Sequence, residues 1–120
     1  GWQALTRLRI GSQEYTIHSM HGDGGGTAAV SALAALAKQK DLGNADVYLR
    51  GHHHQKVVTD DVMPHWSHHG AIMRRRGFAA TGCYLGYKNS YGEAKGYRPN
   101  AHGYIVLCLQ SKEWGFSFSL

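Results

Sequence analysis

The chain has 120 residues, 42% of them hydrophobic and 18% charged, which excludes a disordered chain and allows one domain or part of one. Its formal net charge of +5 favours phosphate-bearing partners without selecting among them. No apolar run approaches the ~20 residues of a membrane-spanning helix, and the first residues show no signal-peptide pattern, so we expect no membrane contact and a cytoplasmic location.

The first elements form a predicted hairpin. Residues 5–10 alternate between polar and apolar side chains, Gly11 and Ser12 predict a turn, and residues 14–20 predict a second strand. That strand leads into His21, which is followed by a run of glycines. His18 lies three residues earlier and therefore on the opposite side of an extended chain, which favours a structural or surface histidine.

A strand-helix-strand unit follows from the next segments. Residues 27–38 are rich in alanine and predict a helix, whose expected apolar stripe comprises Val30, Leu33, Ala34 and Ala37. Residues 46–49 predict a short strand. Such a unit is typical of a parallel crossover, which places the carboxyl ends of both strands at one edge of the sheet, where open α/β sheets bind ligands.

Histidines follow both of these strand ends. The short strand over residues 46–49 leads into Gly51, which we expect to permit a sharp turn, and then into His52, His53 and His54. His52 and His54 alternate along the chain, so both can reach one metal centre together with His21. A purely structural role for these histidines is the alternative.

The second half predicts mainly antiparallel strands. We expect strands at residues 56–59, 72–76, 78–81, 104–109 and 114–120, and a loop over residues 60–70, which contain Pro64 and a histidine cluster. Arg74, Arg75 and Arg76 are expected to form a basic strand face with one arginine in a buried ion pair, or else to contact a phosphate backbone. Cys83 and Cys108 are expected to be buried free thiols.

Tyrosines recur between residues 84 and 97, among lysines and glycines. An irregular loop anchored by tyrosine rings is the favoured interpretation. Stacking on nucleic-acid bases is the alternative.

The two histidine segments, "MHGDGGG" and "ADVYLRGHHH", resemble the last two motifs of the calcineurin-like metallophosphoesterases of phage and bacterial type. Members of that family end one strand with a histidine and glycines, continue through a helix, and end the next strand with Gly-His-x-His. The matching residues are His21, Gly51, His52 and His54. The earlier motifs, Asp-x-His, Gly-Asp-x-x-Asp and Gly-Asn-His, are not in the sequence.

The resemblance implies that residues 1–120 are a single unit, the C-terminal half of a partial α/β metallophosphoesterase sandwich with α+β character. It implies that His21 and His52 bind one ion and His54 a neighbouring ion, the candidate metals being Mn, Fe, Zn or Ni. The acid-base residue is expected in the missing half. Asp23, His53 and Tyr84 are candidates for a supporting role or for the substrate rim.

The predicted function is therefore metal-dependent hydrolysis of phosphate monoesters or diesters, with weak or no activity in the isolated chain. Completion by a homo-oligomer or by a complementing chain is expected, because half a sandwich leaves apolar sheet surface uncovered. Two alternatives stay open. One is a non-catalytic nucleic-acid-binding or assembly protein that keeps the fold, and the other is a hydrolase with a single metal held by the three histidines.

Overall fold

A computed structural model of the chain describes residues 3–21, 29–52, 56–81, 95 and 103–120. In this part of the chain, a five-stranded sheet carries a helix on one face and a two-stranded sheet on the other. The elements are β1 Gln3–Ile10, β2 Gln13–Met20, α1 Ala29–Gln39, β3 Val47–Arg50, β4 Val57–Ser67, β5 Gly70–Ala80, β6 Val106–Leu109 and β7 Phe116–Ser119.

The five-stranded sheet is mixed, with the order β1-β2-β3-β5-β4. Strands β1 and β2 form the predicted hairpin, with Gly11 at a φ of 60° in its turn. Strand β2 pairs in parallel with β3, with Met20 opposite Arg50. The predicted parallel crossover is therefore confirmed, and β2 and β3 end side by side.

The second half of the large sheet departs from the prediction. The expected loop over residues 60–70 is wrong, because these residues belong to β4, to a two-residue turn and to the start of β5, which pair antiparallel along their whole length. Pro64 does not prevent this, since β4 is an edge strand and a proline nitrogen facing solvent removes no ladder hydrogen bond. The expected break in β5 at Gly77 is also absent.

The outer part of this hairpin, residues 62–73, is here called the arm. Every residue of the arm is exposed, and the half-buried part of β5 begins at Arg74, the ladder partner of Met63. The molecule is correspondingly elongated, with principal extents of 55 × 26 × 21 Å. Large apolar side chains lie exposed on the arm, namely Val62, Met63, Trp66, Ile72 and Met73.

The helix packs on the sheet through a face other than the one predicted. Ala32, Leu36 and Gln39 are buried, whereas three members of the expected stripe, Leu33, Ala34 and Ala37, are exposed. The side chain of Val30 is outside the described set. The buried helix residues join Tyr48 and Phe78, whose rings stack with centroids 5.0 Å apart, in the core on this face.

The opposite face of the sheet is covered by β6 and β7. Phe116 packs there against Ile17 and Val47, and Leu107, Leu109, Trp114 and Phe118 surround this second core. The carbonyl oxygens of Gln110 and Gly115, at 2.6 and 2.9 Å, share the single hydroxyl hydrogen of Tyr15, and the hydroxyl oxygen accepts from the N–H of Gly115 at 3.0 Å. These bonds join β2 to the small sheet.

The predicted class, a mixed α/β fold made mostly of strands with one helix, agrees with this architecture. The expected burial of Cys108 is wrong, because its side chain is an exposed free thiol on β6; Cys83 lies outside the described residues. Among the described helices, none is long and apolar enough to cross a membrane.

Candidate metal centre

The ends of β2 and β3 are held together by backbone hydrogen bonds. The N–H of Gly51 donates to the carbonyl oxygen of Met20 at 3.0 Å. On the other side of β3, the N–H of Thr81 donates to the carbonyl oxygen of Arg50 at 2.8 Å. The residues that follow β2 and β3, His21 and His52, are therefore fixed next to each other by the sheet itself.

The imidazoles of His21 and His52 lie in contact, as the sequence predicted. Their ring centroids are 5.1 Å apart and their planes are inclined by 63°. Both side chains are exposed, so an ion can reach them. Imidazole nitrogens bind transition metals at about 2.0–2.1 Å, and two imidazoles on one tetrahedral ion then have their centroids about 5 Å apart. The centroid separation of the pair thus matches that of two imidazole ligands on one ion.

The sharp turn occurs one residue later than predicted. His52 has a φ of 80°, in a region that residues with a side chain seldom occupy, whereas Gly51 does not. A Cβ at position 51 would lie at ordinary contact distances, 3.4 Å from the carbonyl oxygen and 3.7 Å from Nδ1 of His21, so the described residues leave room for a side chain there. Backbone strain of this kind is concentrated at functional sites, where the surrounding structure maintains it.

The other predicted site residues, Asp23, His53, His54 and Tyr84, lie outside the described residues. Within residues 3–21, 29–52, 56–81, 95 and 103–120, no group of three or more histidine, cysteine, aspartate or glutamate side chains is placed to hold a metal ion. The described part of the candidate centre therefore consists of two histidines.

His18 is a structural histidine, as expected, and belongs to a polar network behind this centre. Nε2 of Gln39 donates to the carbonyl oxygen of Leu49 at 3.0 Å and to Nδ1 of His18 at 3.0 Å. Because Nδ1 accepts, Nε2 of His18 carries the hydrogen and donates to Oε1 of Gln3 at 2.8 Å. Burial lowers the pKa of His18, so the neutral ring is favoured.

Gln39 is a supporting residue that sequence reasoning missed. Its side chain is fully buried at the end of α1. Its amide bonds to His18 of β2 and to Leu49 of β3, and so joins the two strands just before His21 and His52. A glutamine near the end of a helix normally faces solvent, so the hydrophobic pattern contains no signal for this position.

The three consecutive arginines of β5 are paired with aspartates. Nε and Nη2 of Arg76 donate to the two carboxylate oxygens of Asp61 at 2.9 and 2.6 Å. These hydrogen bonds lower the pKa of Asp61 and raise that of Arg76. Two further pairs form, Arg74 with Asp46 at 3.4 Å and Arg75 with Asp60 at 3.1 Å. The predicted ion pairing of this run is confirmed for Arg76, but the other two arginines are paired as well, where one pair was expected.

Comparison of the chain with protein-family models, with curated protein sequences and with solved structures finds no match.

Proposed function

We propose that this chain supplies part of the metal centre of a phosphoesterase that hydrolyses phosphate monoesters or diesters. The contact between His21 and His52 at the ends of two parallel strands is the observation that carries the proposal. An imidazole pair at 5.1 Å supports metal ligation, although neutral rings also pack edge to face at this separation without an ion. The fold would be a partial metallophosphoesterase sandwich in a cytoplasmic protein.

In this proposal, His21 and His52 hold one divalent ion, of Mn, Fe, Zn or Ni, and His54 contributes to a neighbouring ion. A pair of such ions, when bound, activates a water molecule and neutralises phosphate oxygens. The chain's own contribution is to orient the imidazoles through the paired ends of β2 and β3. The bridging carboxylate and the acid-base residue come from outside this chain.

The exposed arm supports completion of the centre by association, either with a second copy or with a complementing chain. Val62, Pro64, Trp66 and Met73 share one face of the hairpin, because residues directly opposite in an antiparallel ladder point to the same side. A contiguous apolar surface of this kind is typical of an interface. The arm lies toward the start of β5, whereas Arg50 at the histidine edge pairs with Ala80 at its end, so in this proposal the acidic ligands come from a part of the associated chain other than its contact with the arm.

The test is elemental analysis of the purified chain, combined with turnover of a generic phosphodiester with and without added manganese. We expect bound metal in the wild type and its loss in His21→Ala and in His52→Ala. His69→Ala is the matched control, because His69 lies exposed at the hairpin turn, remote from the β2 and β3 ends in the strand register. Equal metal content in all four proteins contradicts the proposal. Hydrolysis of the phosphodiester that requires both manganese and the intact His21–His52 pair would show that the chain is catalytic.

The alternative is a non-catalytic nucleic-acid-binding or assembly protein. The described residues give it less support, because Arg74, Arg75 and Arg76 are all engaged by carboxylates and have less charge to offer to phosphates. Salt-dependent DNA binding by a chain that holds no metal would favour this alternative.

A further inference from the structure

A cavity of about 470 Å³ lies at the base of the arm, where β5 passes the small sheet formed by β6 and β7. Its wall includes Met73, Arg75, Trp114, Gln13 and Glu14. Met73 and Arg75 alternate along β5 with Gly77, where an added Cβ would be directed at Phe116 of the small sheet. The cavity therefore opens on the side of the arm that faces the small sheet.

Trp66 belongs to this same face of the arm and lies nearer its tip. It is the ladder partner of Ala71, and Pro64 is the partner of Met73, so Trp66 and Met73 point to the same side. Trp66 is 78% exposed, so its indole ring is mostly in contact with water. Indole rings that enter a pocket of a partner are among the side chains that contribute most to an interface.

The opposite face of the arm is less suited to an apolar contact. Met63 and Ile72 are exposed there, but they lie beside His65 and Arg74, which are joined by a hydrogen bond of 3.1 Å. The apolar side chains on the face of Trp66 are contiguous in the ladder. This face is therefore the stronger candidate for an interface.

An exposed ring and a cavity on one face of the same chain allow a symmetric dimer. A two-fold axis through the midpoint between them brings Trp66 of each copy to the cavity of the other. Ala71, which lies opposite Trp66, and Arg75 at the cavity are separated by about 14 Å along β5, and Met73 lies halfway between them. Met73 would then pack near the axis, close to its own counterpart in the second copy.

Arg75 gives the cavity a group that suits an indole ring. Its guanidinium stacks on Phe116, with Cζ 4.1 Å from the ring centroid, and its side chain is 42% exposed. Asp60 pairs with Arg75 at Nε, which lies in the guanidinium plane, so this ion pair does not cover the second flat face of the group. A cation over tryptophan is the most favourable contact of this type.

We propose that the arm joins two copies of this chain in a symmetric dimer, in which Trp66 of each copy occupies the cavity of the other. The inference deepens the proposed function, on which it rests only in assigning the association through the arm to a second copy. One face of the arm is smaller than the roughly 800 Å² that each partner contributes to a standard interface, so we expect micromolar affinity. Because the arm lies at the start of β5, far from His21 and His52 in the register, the dimer requires no metal ion.

Sedimentation equilibrium of the purified chain over a range of concentrations tests this inference. We expect a monomer–dimer equilibrium in the wild type. Trp66→Ser removes the ring and Met73→Asp places a charge on the cavity wall, so each should weaken the dimer by about tenfold or more. Leu5→Ser is the matched control, because Leu5 is also exposed, at 62%, but lies on β1 outside the arm.

A mixture of Trp66→Ser and Met73→Asp tests the symmetry of the contact. In the mixed dimer, Trp66 of the Met73→Asp chain enters the intact cavity of the other chain, so one of the two contacts is restored. The mixture should therefore associate more tightly than either variant alone and less tightly than the wild type.

Folding is checked by urea unfolding of each variant. If Met73→Asp does not fold, Met73→Ser replaces it. As a second readout, the emission of Trp66, obtained as the difference between the wild type and Trp66→Ser, should shift to longer wavelength on dilution. The inference is overturned by a wild type that stays monomeric or assembles beyond the dimer, by a dimer that Trp66→Ser does not weaken, or by a mixture that associates no better than its components.

The two proposals fail in different ways. Trp66→Ser should bind as much metal as the wild type, and His52→Ala should form the dimer as well as the wild type. Metal binding that depends on His21 and His52, in a chain that stays monomeric, would contradict the dimer alone. A dimer that depends on Trp66, in a chain that holds no metal, would contradict the proposed function alone.

Discussion

The ring of Phe116 lies directly against the backbone of Gly77, so that a Cβ at position 77 would be 2.5 Å from Cε2 and 2.8 Å from Cζ of that ring. Phe118 approaches almost as closely, with its Cε2 at 2.8 Å. The contact between the two sheets thus depends on the missing side chain of Gly77. The close approach of the Phe116 and Phe118 rings, and not an interruption of the strand, explains why a glycine stands at position 77 of β5.

Gly77→Ala should therefore destabilise the fold, by about 1–3 kcal/mol, because the rings of Phe116 and Phe118 have to move apart. Urea unfolding followed by tryptophan fluorescence measures this change. Gly43→Ala is the control, since the nearest atom to its added methyl group, Cδ2 of His18, lies at an ordinary contact distance of 3.5 Å. Equal stability of the two variants would show that the small sheet does not pack as described.

Asp61→Asn should cost about 1–3 kcal/mol, because the largely buried guanidinium of Arg76 loses its charged partner. Asp60→Asn is the matched control and should change stability by less than about 1 kcal/mol, since its pair with Arg75 is well exposed to solvent. Both values come from urea unfolding at neutral pH. A similar effect of the two substitutions would contradict the structural role assigned to Arg76.

The same pair predicts a pH dependence. The pKa of Asp61 lies below its ordinary value of 3.8 because Arg76 donates to the carboxylate. Its contribution to stability is therefore fully present above pH 3.8 and is lost as the pH falls through the lowered pKa of the folded state. The difference in stability between wild type and Asp61→Asn should shrink over that acidic range, and a constant difference would contradict it.

His18 predicts a second pH dependence, at milder acidity. Its folded-state pKa is lowered from 6.5 by burial, and a proton on Nδ1 would face the amide nitrogen of Gln39, which is also a donor. Stability from the neutral ring is therefore complete above pH 6.5 and falls as the pH drops toward the lowered pKa. Melting temperatures across this window should decrease less in His18→Gln than in the wild type. His69→Gln, an exposed site, should behave like the wild type.

Association through the arm predicts that Trp66→Ser shifts the protein toward the monomer. Trp66 is 78% exposed, so its loss should hardly change the stability of one chain. Size-exclusion chromatography with light scattering gives the mass of each species. Leu42→Ser is the control, because Leu42 is also exposed, at 56%, but lies beyond the end of α1. A wild type that is monomeric at all accessible concentrations would contradict association.

Much of the strand-helix-strand unit could be predicted, because its signals are local. Alanine-rich helix propensity and two short apolar strands determine a parallel crossover, and the handedness and geometry of that crossover bring His21 and His52 to one edge. No long-range information is needed for this step. The placement of two candidate ligands followed from the topology alone.

The mispredicted parts depend on long-range contacts. Pro64 and the neighbouring histidines have low strand propensity, but pairing with β5 overrides it, and the edge position of β4 tolerates the proline. The helix face was mispredicted because Gln39 is buried for its hydrogen bonds, which an apolar stripe does not reveal. Cys108 lies on the solvent side of β6. This strand has four residues, and so short an alternation of side chains does not show from the sequence which side faces the core.

The hydroxyl of Tyr15 is bonded to Gln110 and Gly115, which follow it by about a hundred positions. During translation, the ribosome has to release the chain as far as Gly115 before these bonds can form. Until then the face of the nascent sheet that includes Ile17 and Val47 stays exposed to solvent and accessible to chaperones. Maturation of this polypeptide should accordingly be late and slow, as expected for closures between distant segments.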